Sequence, residues 1–277
     1  MATAPKATTA TAKKEGSGSN IFASLTIVIC LVIGFLLWKF VMGNAANFEG
    51  GDPENGHPLP GNYFGMVYKG GIIVPVLMGM LLMVIVFSIE RFIVINKAAG
   101  NGNVDVFVQK IQGYLSSRNI EAAIAECDKQ KGSVANVIKS GLKKYREVET
   151  DGGMNTEQAS LAIQKDIEEA TALEMPMLEQ NLTVIATLVS VGTLTGLLGT
   201  VSGMIKAFAG LATAGAPDQA ALANGISEAL INTATGIATS TIAIIMYNIF
   251  TSKIDKLTYS IDEAGFSIVQ TYASTHK

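Results

Sequence analysis

Apolar residues along the chain gather into four runs, each long enough as a helix to cross a hydrocarbon core of about 30 Å. They extend from Ile21 to Met42, Ile72 to Ile95, Thr183 to Leu211 and Leu222 to Phe250. Between the second and third runs lies a polar insert, residues 96–181, with 23 of the chain's 43 charged residues. The pattern predicts an all-α, polytopic membrane protein whose long helices extend beyond the bilayer. Its parts read as a disordered tail (1–20), an extra first span (21–42), an external segment (43–71), a second span (72–95), a helical domain (96–182), a pore-forming hairpin (183–250) and a C-terminal helix (251–277).

Inside the insert the period is helical. Val104, Val106, Phe107, Ile111, Tyr114 and Leu115 form one face, and Ala135, Val137, Ile138, Leu142 and Tyr145 another. Asn119 reads as an N-cap, and Asp151-Gly152-Gly153 as a break. From Thr156 only Pro176 interrupts the pattern, so that helix is expected to run unbroken into the third span. Basic residues set the orientation. Lys6, Lys13 and Lys14 precede the first span, Arg91, Lys97 and the run from Lys110 to Arg146 follow the second, and Lys253 and Lys256 follow the fourth. Residues 43–71 hold only Lys69, and residues 213–221 hold no basic residue. Both termini and the insert are therefore expected in the cytoplasm. The first run, with small residues at Gly43 to Ala46, also fits a signal sequence. Its length, and Trp38-Lys39 as an interfacial anchor, favour a retained span.

Composition narrows the chemistry. Charged residues are 16% against roughly 25% in soluble domains. A net charge of −3 gives no basic surface for nucleic acid. Two Cys and two His build neither a zinc site nor a disulfide framework. Neither a nucleophile–base pair nor a phosphate-binding glycine loop is visible, so the chain does not read as an enzyme, and nothing calls for a cofactor or metal. It shows no inverted repeat of the kind transporters carry.

The last two spans hold unusual polarity. Their Gly, Ser and Thr residues suit close helix packing, and with no other obvious partner these surfaces are expected to hold a homo-oligomer together. Glu228 stands out, because a carboxylate in a membrane span costs about 2.5–3.5 kcal/mol. With Ala216 as the centre of the hairpin, Lys206 lies ten residues before it and Glu228 twelve after, so the two can pair. Thr200 and Thr233, sixteen and seventeen residues away, share a deeper level. Glu228, Asn232, Thr235 and Thr239 fall on one face of a helix. That stripe either packs against another helix or lines a lumen. Asp218 and Lys69 need only solvation.

Several segments resemble the ExbB/TolQ/MotA proton-channel superfamily, most of all ExbB. They are Gly70-Gly71 with Pro75 and Glu90-Arg91-Phe92; Leu178 to Leu182, Ala186-Thr187 and Gly196 to Val201 with Gly203-Met204; and Gly225 to Leu230, Thr233-Ala234, Gly236, Tyr247-Asn248 and Phe250. The resemblance covers roughly residues 70–264. It implies a bacterial inner-membrane pentamer around an ExbD-like one-span partner, with proton flow driving motion that a TonB-like protein carries to the outer membrane. It matches Glu228 to the pore carboxylate and Thr200 and Thr233 to the pore threonines, and it places the titrating Asp on the partner helix. Departures are Gly192-Thr193 in place of Ala-Pro, a missing second proline near Thr239-Ser240-Thr241, and the extra first span. Alternatives within the resemblance are a TolQ-like, gliding or flagellar stator; a non-conducting scaffold is the alternative outside it.

Overall fold

The computed structural model describes residues 16–54, 56–212 and 218–276. Residues 1–15, with Lys6, Lys13 and Lys14, and residues 55, 213–217 and 277 lie outside the described residues. The protein is a polytopic membrane protein, all-α among the described residues, which hold four helices long and apolar enough to span a bilayer.

Helix α1 (Gly16–Leu36) continues as a π-helical turn, Leu37–Met42. It packs on α3 (Ile73–Ala99) where two glycines let the backbones meet: a methyl group on Gly34 would lie 2.7 Å from the Gly79 nitrogen. Contact at this range needs small residues, because lipid supplies no hydrophobic drive between helices. The other side of α1, including Val28, Val32 and Phe35, is exposed as a lipid-facing surface must be.

Residues 43–71 form a folded cap. Asn47 donates to the Val41 and Met42 carbonyls at 3.0 and 2.9 Å, closing the end of the first span. The Trp38 ring stacks on Tyr68 at 4.7 Å and its indole N–H donates to the Tyr68 carbonyl. Short helix α2 (Tyr63–Tyr68) is capped by Asn62. Lys69 does more than meet solvent: it donates to the Glu54 carbonyl at 2.9 Å and sits over the Phe48 ring. Burial pushes its amine below the ordinary lysine value, against the raising effect of Asp52 and Glu54.

Helices α4 (Val104–Ser116), α5 (Ile120–Gln130), α6 (Gly132–Asp151) and α7 (Thr156–Glu179) make a polar-surfaced bundle with an apolar core. Asn119 caps α5 through the Ala122 N–H, and Asn155 with Gln158 forms a capping box on α7. Val106, expected on the buried face of α4, is 48% exposed, and Val108 takes its place.

The helix from Thr156 does not run into the third span. It stops at Glu179, Gln180 turns to ψ 141° and Asn181 to φ +62° before α8 (Leu182–Leu211) begins. The cause lies on α3. The buried Arg91 guanidinium donates to the Met177 and Leu178 carbonyls at 3.0 and 3.2 Å, taking the free acceptors of the α7 terminus. Glu90 pairs with the same guanidinium, and Asn181 donates to Glu90.

Helix α9 (Gln219–Thr275) is uninterrupted for 57 residues, about 86 Å. Asp218 caps it, accepting from the Ala220 and Ala221 N–H groups, a role beyond solvation. One half of α9 pairs with α8 and the other completes the bundle.

Candidate functional site

Helices α8 and α9 meet along glycines. A methyl group on Gly196 would lie 3.0 Å from the Asn232 carbonyl oxygen, and one on Gly203 2.6 Å from that of Gly225. On Gly199 it would lie 2.3 Å from the Asn232 Cβ. These small-residue surfaces were expected to hold copies of the chain together. Within the chain their glycines pack α8 against α9, while Thr187, Ser190 and Thr193 of α8 remain exposed. The exposed face of α8 includes the large side chains of Leu194, Leu197, Leu198, Val201, Ile205 and Phe208.

With the backbones this close, polar side chains bridge the crease between the helices in successive rungs. Lys206 Nζ lies 2.6 Å from Glu228 Oε1, with the carboxylate nearly enclosed and the lysine side chain 54% exposed. One step along, the Thr200 and Thr233 hydroxyls are hydrogen-bonded, and Thr233 also donates to the Ala229 carbonyl at 3.1 Å. A third rung was not singled out from the sequence: Thr193 Oγ1 donates to Ser240 Oγ at 2.8 Å. The depth arithmetic holds the signal, since these two lie 23 and 24 residues from Ala216. From Lys206 to Thr193 is about 20 Å along α8.

The crease continues at seven-residue steps through Ala186 and Tyr247 into a cleft of about 400 Å³ beside the α7–α8 joint. Glu179, Thr183, Thr251 and Asp255 give that cleft its polar lining.

The stripe of Glu228, Asn232, Thr235 and Thr239 lies against the rest of the chain. Asn232 and Thr239 have no exposed surface, and Thr235 is half-buried with its hydroxyl on the Ile231 carbonyl. Asn232 donates to the Gly70 carbonyl at 2.8 Å, so the stripe is closed by the bend that leads into α3. Assembly of several chains cannot expose Asn232 or Thr239 without parting these helices. The side chains that remain open along the crease are Lys206 and Thr193, with Thr200 and Thr233 half-buried. Glu228 also touches Gly71, which places the carboxylate level with the start of α3.

The sequence pattern of the MotA/TolQ/ExbB proton channel family matches residues 129–263, which hold every rung of the crease. This stretch, a little under half of the chain, is similar to that family. Relatives within it include the Tol-Pal system protein TolQ of Pseudomonas aeruginosa, 32% identical over 124 residues, or 45% of this chain and 54% of TolQ. The putative biopolymer transport protein ExbB-like 3 of a Synechocystis species is 34% identical over 88 residues, 31% of this chain and 42% of its own length. The biopolymer transport protein ExbB of Salmonella typhimurium is 32% identical over 85 residues, 31% and 35%. The chain thus matches about half, or less, of the length of these relatives. They include both TolQ and ExbB proteins at similar identity, so what the comparisons carry is the proton channel family rather than its ExbB branch. Two of these relatives are named as biopolymer transport proteins.

Proposed function

We propose that this chain is the scaffold subunit of a proton-conducting motor in the bacterial inner membrane. In this reading the bundle and both termini face the cytoplasm and the cap lies outside, as the distribution of Lys and Arg favours. Several copies, a pentamer by resemblance, surround the helix of an ExbD-like one-span partner, and a TonB-like protein carries the motion to an outer-membrane transport system. The observation that carries the reading is the crease itself. It aligns an ion pair and two hydroxyl pairs across about 20 Å of the hairpin, inside the family-matched stretch.

The chemistry follows from the spacing. Successive rungs are about 9 to 10 Å apart along α8, too far for a proton to pass directly between them. The hydroxyls can donate and accept, so they can order water or a carboxyl of the partner helix between rungs. Glu228 with Lys206 forms the outer mouth, and the cleft lined by Glu179 and Asp255 forms the inner one. A TolQ-like role is the second reading, supported by the match to TolQ over 124 residues. A neighbouring gene for a TonB-like protein would separate the two.

The test is Glu228→Gln, which keeps size and hydrogen bonding and removes the charge. Proton-driven activity should be lost while the complex keeps its native mass. The pair Glu228→Gln with Lys206→Met completes the test. A double variant that regains activity would show that charge pairing was the only role, and the proton-path reading would fall.

A further inference from the structure

The bend at Gly70–Gly71 is pressed against the outermost rung. Gly71 has φ +79°, and a methyl group there would lie 2.5 Å from Glu228 Oε1 and 2.9 Å from its Cδ. Gly70 is wedged likewise, its added methyl 2.8 Å from Ile231 Cγ2, and its carbonyl accepts from Asn232. The residue before the pair, Lys69, and Tyr68 before it are fixed by the cap: Trp38 stacks on Tyr68 and donates to its carbonyl. A continuous set of contacts therefore runs from the end of the first span, through the cap, to the carboxylate that pairs with Lys206.

We propose that Gly71 is a positioning residue for Glu228, and that the cap, through this bend, holds the carboxylate against Lys206. This rests on the proton-path reading for its consequence in transport, but not for its geometry. The carboxylate lies between the Gly71 Cα on one side and Lys206 on the other. Any side chain at position 71 takes the space it occupies. Misplacing a reacting group by about 1 Å costs up to the order of 100-fold in rate, so a seat of this kind bears on function although it touches no proton.

Gly71→Ala tests the idea, with Gly61→Ala as its control. Gly61 lies in the same cap with φ +77° and nothing within 4 Å of an added methyl, so it carries the same backbone strain without the contact. Two readouts are taken on the full chain in membranes. One is the yield of the amide that a water-soluble carbodiimide forms between Lys206 and Glu228, measured by mass spectrometry. The other is proton-driven activity of the assembled complex. Gly71→Ala should lower the cross-link yield several-fold and the activity on the order of tenfold, and Gly61→Ala should change neither. Shortening the acid should relieve the overlap, so Gly71→Ala with Glu228→Asp should be no worse than Glu228→Asp alone. An unchanged cross-link yield in Gly71→Ala overturns the proposal whatever the activity does. A reduced yield with full activity supports the positioning and sinks the proton-path reading instead. If Gly71→Ala fails to accumulate, the double variant should recover; failure of both overturns the proposal.

Discussion

One helix, α9, is packed in two different ways along its length. Its first half buries Gly225, Ala229, Asn232, Gly236, Thr239, Ser240 and Ala243, and its second half buries Phe250, Ile254, Leu257, Ile261, Ile268 and Tyr272. The solvent around each half explains the difference. In water, large apolar side chains leave the surface because burial removes them from water, at roughly 25 cal/mol per Å². In lipid that drive is absent, since a leucine is as well placed against acyl chains as against a neighbour. Helices there hold by backbone proximity and polar bridges, so small residues turn inward and Leu230, Ile237 and Ile245 turn outward. The inversion is also what makes the site possible. Only helices in glycine contact let hydroxyls as short as Thr193 and Ser240 meet.

The largest effect should come from a glycine pressed against a side chain that is itself held in place. Gly199→Leu would drive a side chain into Asn232, whose own position is fixed by the Gly70 carbonyl. Neither neighbour can retreat, and the cost should reach about 3 kcal/mol or more. Gly141 in the bundle is an informative contrast, because an added methyl there crowds the Ile167 side chain, at 2.5 Å from Cγ1, and meets Ile268 at an ordinary 3.6 Å. Gly141→Ala should cost clearly less, as the isoleucine can change rotamer. Thermal unfolding of both variants in detergent measures the difference. Equal losses would show that the two packing regimes do not differ in stiffness.

Large apolar residues should show the opposite ranking. Ile261→Ala empties a fully packed position in the bundle and should cost about 2–5 kcal/mol. Leu230→Ala, 64% exposed on the membrane half of the same helix, should cost almost nothing in the isolated chain. If Leu230→Ala instead breaks up the oligomer, the exposed face of α9 is where copies meet.

Much of this was legible in the sequence because it rests on period and charge. The four spans, the cap at Asn119 and the buried face from Ala135 to Tyr145 follow from spacing, and counting from the turn places Lys206 opposite Glu228. What spacing does not carry is the choice of partner. Glycine faces on the last two spans are as suited to another copy as to each other, and only the closed hairpin shows which contact they serve. The break at Gln180–Asn181 was hidden for a similar reason. Its cause, Arg91, is 86 residues from Met177 in sequence, and the local pattern remains helical throughout. A helical wheel also gives a face without saying what lies opposite, so it leaves packing and a lumen as alternatives for the stripe that holds Asn232 and Thr239, and only the structure shows Gly70 against Asn232.

The smallest effect belongs to the bundle's acid response. The Lys110 ammonium donates to Glu126 at 2.6 Å and Lys129 approaches at 3.3 Å. Together, and chiefly through the Lys110 hydrogen bond, they hold the Glu126 carboxyl below its ordinary value of 4.5 against the opposing effect of burial. A carboxylate with a lowered value binds fewer protons folded than unfolded. Its contribution to stability is therefore complete above the ordinary value and disappears as pH falls through the lowered one. Lys110→Met should remove most of that contribution. The variant's deficit should be constant from neutral pH down to about 5, then shrink as Glu126 is protonated in both proteins. Lys110 and Glu126 pair within the bundle, so the same variant should leave the melting of the hairpin unaffected. Denaturant midpoints across pH, read from tyrosine signals of the bundle, measure this. A deficit independent of pH would assign the loss to the packing of the lysine stem rather than to its charge.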